Sequence, residues 1–92
     1  MSAEQVTTAT TDREAPPRPV FETRDFYLAC FLKCTGYDLI DLRATGRRRI
    51  FVFRDQPDRR CDVIAFYSNA RAVLPLAFAS TIKDLKALLH NA

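Results

Sequence analysis

Between Tyr37 and Asp55 the chain reads YDLIDLRATGRRRIFVFRD, two β-favouring runs separated by ATGR. Leu39, Ile40 and Leu42 precede the break, and Ile50, Phe51, Val52 and Phe53 follow it. Branched and aromatic side chains suit a pleated strand, and glycine suits the turn between two of them. The segment therefore predicts a β-hairpin over Leu39–Asp55 that turns at Thr45–Gly46. Its register stays open. A two-residue loop opposes Ile40 to Phe51 and Leu42 to Arg49, whereas a three-residue loop opposes Ile40 to Val52 and Leu42 to Ile50. A slip of one residue exchanges the two faces, so the pattern does not say which of Arg47, Arg48 and Arg49 point together.

The chain has only two glycines, and the other one, Gly36, closes the segment RDFYLACFLKCTG. This predicts a helix from Arg24 to Thr35, with Thr23 as N-cap, Asp25 in the first turn and Gly36 as a left-handed stop. Phe26, Leu28, Ala29, Cys30, Phe31, Leu32 and Cys34 cover most of its circumference. Such a helix is either central to the fold or partly covered by a partner. Val20 and Phe21 suggest a short strand before it. In PDRRCDVIAFYSNA, Cys61, Ile64, Ala65 and Ser68 fit a helical stripe, while Cys61, Val63, Ala65 and Tyr67 fit a strand. Asp55 or Asp58 beside Pro57 could start a helix, which makes helix the preferred assignment. The segment LPLAFASTIKDLKALLHNA is an amphipathic helix with Pro75 in its first turn. Phe78, Ile82, Leu85 and Leu89 share one face, and Lys83 and Lys86 lie elsewhere.

The expected architecture is one α+β domain over residues 20–91, in the order (β)-α-β-β-α-α. A small antiparallel sheet built on the hairpin packs against two or three helices. Residues 1–19 are rich in Thr and Ala and carry Pro16, Pro17 and Pro19, which predicts a disordered tail. Apolar runs are far shorter than a bilayer span, and the N-terminus lacks the basic start and apolar core of a secretory signal. Three cysteines are an odd number, which argues against a disulfide framework and for a reducing compartment. The expectation is a cytoplasmic protein with no membrane partner.

The order of F-x-T-x-D-x-Y-L-A (Phe21–Ala29), GRRRIFVFRD, the pair Phe66-Tyr67 and F-x-x-x-I-K-D-L-K (Phe78–Lys86) resembles a known family. It comprises short bacterial and phage-associated proteins catalogued as a domain of unknown function. The resemblance spans about Phe21 to Leu89. It implies a compact fold and carries over no catalytic residue.

Charge is the strongest functional signal. The whole chain is formally +3, yet Arg43–Arg60 holds seven arginines against two aspartates, a net +5, leaving the remainder at −2. Arg43, Arg47, Arg48, Arg49, Arg54, Arg59 and Arg60 are therefore the candidate nucleic-acid-binding residues. A guanidinium offers a planar pair of donors to a phosphate. Phe51 or Phe53, if exposed on the same face, would let bases stack. The competing account makes the arginines a solvated rim guarding a strand edge, with both phenylalanines in the core.

Signals for chemistry are weak. The single histidine, His90, stands near the C-terminus, and Asp38, Asp41, Asp55, Asp58 and Asp62 are scattered among basic residues without nucleophile–base spacing. Cys30 and Cys34 share a helix face and could join Cys61 and His90 in a Cys3His site. The close cysteine pair of a zinc knuckle is missing, however, and Cys30 lies in an apolar run. No enzyme activity, metal or cofactor is expected, and all three thiols are expected to be reduced. The sequence points to a non-catalytic accessory protein whose basic hairpin contacts nucleic acid or an acidic partner. The alternative is a protein–protein adaptor or homodimerisation module without nucleic-acid binding, using surplus apolar surface on the first helix or the hairpin edge.

Overall fold

A computed structural model describes residues 19–91. Within them the chain runs β1 (Val20–Thr23), α1 (Phe26–Cys34), β2 (Leu39–Thr45), β3 (Arg48–Arg54), α2 (Arg59–Tyr67) and α3 (Pro75–Asn91). This is the expected α+β order. The strands form one antiparallel sheet in the order β1-β3-β2, so the second arm of the hairpin is central. Apart from Pro19, the tail predicted over residues 1–19 lies outside the described residues. No helix among the described residues is long and apolar enough to cross a membrane.

The hairpin forms, but in neither expected register. The loop is Gly46–Arg47, one residue later than predicted, and Thr45 pairs with Arg48. Gly46 has φ +61° while Arg47 is not left-handed, the pattern of a type II′ turn whose twist matches the strands it joins. Leu42 then opposes Phe51, and Arg43 opposes Ile50. Farther along, a register shift between Leu39 and Asp41 lets Leu39 oppose Phe53. Strict alternation would send Leu39 and Leu42 to opposite faces. The extra residue in this bulge returns both to the same face, beside Phe51 and Phe53. Ile40 is left exposed.

α1 lies at the centre of the core. Leu28, Ala29, Cys30, Phe31 and Leu32 are all buried, so its wide apolar surface is consumed within the fold. Its start differs from the expectation. Thr23 still belongs to β1, paired with Phe51, so the helix cannot begin there. Asp25 is the N-cap instead, its Oδ1 accepting from the N–H of Tyr27 (3.0 Å) and of Leu28 (3.1 Å). The Thr23 hydroxyl accepts from the Asp25 N–H at 3.1 Å. At the other end Gly36 has φ +107°. Its N–H bonds the Lys33 carbonyl and the Tyr37 N–H bonds the Leu32 carbonyl, a Schellman stop that folds buried Tyr37 back over Leu32.

α2 is a helix, as preferred, but the stripe that argued for it is not its inner face. Cys61, Ile64 and Ser68 are exposed, and Val63 and Phe66 turn inward to meet the core. No residue of α2 is fully buried. It is held instead by reciprocal tyrosine–aspartate bonds. The Tyr67 hydroxyl donates to Asp25 Oδ2 at 2.6 Å, and the Tyr37 hydroxyl donates to Asp62 Oδ2 at 2.6 Å. Arg71 adds a bond to Asp62 Oδ1 at 3.0 Å. Asn69, at φ +56°, ends α2 with a second Schellman pattern, its N–H on the Phe66 carbonyl and the Ala70 N–H on the Ala65 carbonyl. α3 presents Phe78, Ile82, Leu85 and Leu89 to the core as predicted.

Two outcomes follow from this packing. Leu32 is 0% exposed and Leu76 is 86% exposed. Leu32→Ala should cost about 2–5 kcal/mol of stability and Leu76→Ala close to nothing, measured by urea unfolding. The second concerns acid. The Tyr67 hydroxyl foremost, helped by the Leu28 and Tyr27 amides, holds the Asp25 carboxyl below its ordinary value against the opposing effect of burial. A depressed carboxyl stabilises the fold above about pH 4, its unfolded value, and that contribution is lost as pH falls through the folded value. Tyr67→Phe should therefore lower stability at pH 7 and flatten the acid limb, so that it differs less from wild type at pH 2 than at pH 7. An unchanged acid limb would mean the bond contributes nothing.

Candidate functional site

The type II′ turn delivers Arg47 to the loop tip and Arg48 and Arg49 to the first positions of β3. Alternation along β3 sends Arg49 to the helix side with Phe51, and Arg48 to the uncovered side with Ile50 and Val52. Arg49 Nη1 donates to the Arg48 carbonyl at 3.2 Å and the Gly46 carbonyl at 3.4 Å, folding its guanidinium back along the turn. A cleft of about 430 Å³ opens where the hairpin tip meets the start of α1 and the end of α3. Arg24, Arg47 and Arg49 line it, over a floor of Phe26, Phe51 and Leu89, and Arg48, whose side chain starts on the other sheet face, borders it at the turn.

The seven candidate arginines separate into two groups. Arg47, Arg48 and Arg49 stand at the cleft, and Arg43, Arg54, Arg59 and Arg60 do not. Arg43 pairs with Glu22, with Asp41 at 3.9 Å, and reaches across β3 from one edge strand to the other beside buried Val52. Arg54 pairs with Asp38 at 3.5 Å. Arg59 pairs with Asp55 at 3.1 Å and stacks over the Phe21 ring at 4.6 Å. Arg60 is exposed on α2. Among the described residues, no carboxylate stands within ion-pairing distance of Arg24, Arg47, Arg48 or Arg49. Much of the +5 segment thus meets carboxylates in the fold, and of its four arginines that meet none among the described residues, three stand at the hairpin tip and Arg60 lies apart on α2.

Arg24 was missed by sequence reasoning. It lies far from the basic segment, and the helix expected over Arg24–Thr35 includes it. It instead occupies the link between β1 and α1. Its neighbour Asp25 directs its carboxylate oxygens to the helix amides and Tyr67 and forms no ion pair with it. The aromatic expectation also changes. Phe51 is 1% and Phe53 0% exposed, so neither offers a stacking face. Phe26, half-buried at the cleft, is the aromatic that remains, tilted against Phe51 at 6.2 Å and edge-on to Tyr27 at 5.3 Å.

The residues considered for metal are dispersed. Cys30 is buried, and burial pushes its thiol up to about 11, so it is protonated at neutral pH. Cys34 faces a groove beside Ala72, Val73 and Ala77, and Cys61 is exposed on α2. Among the described residues no group of three or more His, Cys, Asp and Glu could hold a metal ion.

Fold and cleft together define a small two-layer α+β domain, helices on one sheet face and a basic cleft at the hairpin end. Residues 18–91 match the family model described as "Domain of unknown function (DUF5659)", and the chain belongs to that family. The match covers the whole span of the resemblance seen in the sequence. No curated protein and no solved structure matches the chain.

Proposed function

We propose that this protein is a non-catalytic accessory module that contacts nucleic acid through the hairpin tip. The observation that carries this reading is the gathering of Arg24, Arg47 and Arg49 on one cleft, with Arg48 at its border and no carboxylate partner for any of the four among the described residues. Like charges gathered around one cleft repel one another, and a phosphate backbone relieves that repulsion while releasing its own counterions. The three free thiols suit a reducing cytosol as its place of action.

A second reading, the protein–protein adaptor or homodimer, moves from α1 to the start of α3. Leu74, 75% exposed, lines the groove with Cys34, Ala72 and Val73, and Leu76 is 86% exposed in the first turn of α3. Apolar surface of this kind is costly to leave in water.

Two measurements separate the readings. Fluorescence anisotropy with labelled DNA and RNA at two salt concentrations tests the first. The triple change of Arg47, Arg48 and Arg49 to alanine should weaken binding and reduce the salt slope by roughly one unit per lost contact. Melting should change little, because charges at a hairpin tip that meet no carboxylate among the described residues contribute little to stability. Arg60→Ala, inside the basic segment but off the cleft, should leave affinity within about twofold. Absence of binding by wild type at low salt would end the nucleic-acid reading. Sedimentation equilibrium at high salt tests the second. A dimer that Leu76→Asp returns to monomer would support it, and a monomer at every concentration would remove its homodimer form.

A further inference from the structure

We infer that the cleft takes a single unstacked nucleobase of a single strand, with the flanking phosphates held by Arg24 on one side and by the hairpin-tip arginines on the other. This rests on the nucleic-acid reading above and adds the form of the ligand. The reason lies in what the cleft combines. Its charged rim alone would suit any polyanion, including a duplex backbone. Its floor is not charged. Phe26 and Leu89 are half-buried side chains that leave apolar surface facing the opening, above the edge of Phe51. A phosphate cannot use such a surface, and neither can a duplex, whose bases are already stacked on one another. A splayed base brings a flat apolar face of its own, and aromatic side chains receive such faces with little regard to sequence. The volume, about 430 Å³, falls within the range of clefts that hold small organic groups.

The rim is placed to hold both sides of such a base. Arg24 enters from the β1–α1 link, and Arg47, Arg48 and Arg49 from the hairpin tip. Arg24 also lines a second depression of about 220 Å³ with Thr23 and Ile50. A strand leaving the cleft past Arg24 is therefore received by a second hollow. Glu22, which borders that hollow, is engaged by Arg43 and presents less repulsion to a phosphate.

The experiment compares four labelled 12-nucleotide probes at low salt by anisotropy: single-stranded DNA, single-stranded RNA, a DNA duplex and a fully abasic deoxyribose-phosphate strand. The abasic strand keeps the phosphates and removes every base, so sliding along the probe cannot hide the effect. At least one of the single strands should bind more tightly than the abasic strand and the duplex, by about 5- to 150-fold, the range of one base stacked on an aromatic ring. Phe26→Leu keeps an apolar floor and a large core side chain while removing the aromatic face, and should reduce that advantage with melting little changed. A duplex or abasic strand bound as tightly as both single strands, through the same arginines, would overturn this inference and leave the nucleic-acid reading standing. Binding of none of the four probes would overturn both.

Discussion

The rings of Phe51 and Phe53 lie under α1, and the rest of the molecule is arranged around that contact. Both belong to the central strand, so each is flanked on the same face by side chains from both neighbours. Phe21 and Leu39 flank Phe53, and Thr23 and Leu42 flank Phe51. Removing such a buried ring typically costs about 3–5 kcal/mol, a large part of the stability of a domain this small. The bulge near Asp41 exists because both Leu39 and Leu42 must reach this layer from a strand whose period would otherwise separate them. The same alternation that points Phe51 and Phe53 inward carries Arg49 to the helix side, where the cleft forms. Core and site are therefore set by one strand.

The uncovered sheet face shows how an exposed layer is managed without a second layer of helices. Val52 is buried there, and the Arg43–Glu22 pair crosses the strand beside it, from opposite Ile50 to opposite Val52. Exposed ion pairs add little energy by themselves. Their effect here is steric and electrostatic: long stems shield apolar side chains, and the charges deter pairing through that face. This use of Arg43, and of Arg54 with Asp38, also withdraws them from the pool available to an outside anion.

α2 stands apart in kind. It buries no side chain fully and is tied on by Tyr67 to Asp25, Tyr37 to Asp62, and the cation–ring contact of Arg59 with Phe21. Burial first, then the bond to Asp62, holds the Tyr37 hydroxyl in its protonated, donating form. An element secured by polar bonds and by the half-buried Val63 and Phe66 has a lower local opening free energy than α1 or β3, both of which hold fully buried side chains.

The sequence by itself determined the local elements: the helix that stops at Gly36, the hairpin at Gly46, the core face of α3 and the concentration of arginine between them. These depend on propensity, periodicity and turn chemistry within a few residues, all written contiguously. The register of the hairpin was not legible, because the competing pairings differ by a single residue and all satisfy the local pattern. Only packing against α1, through Phe51, Phe53 and the bulge that keeps Leu39 and Leu42 beside them, selects one. The site was legible in part. Arg47, Arg48 and Arg49 stood out as a run, whereas Arg24, Phe26 and Leu89 reach the same cleft from distant parts of the chain. Only the tertiary structure could bring them there, and only it could show that Arg43, Arg54 and Arg59 meet carboxylates, because charge in a sequence is counted along the chain and neutralised across space.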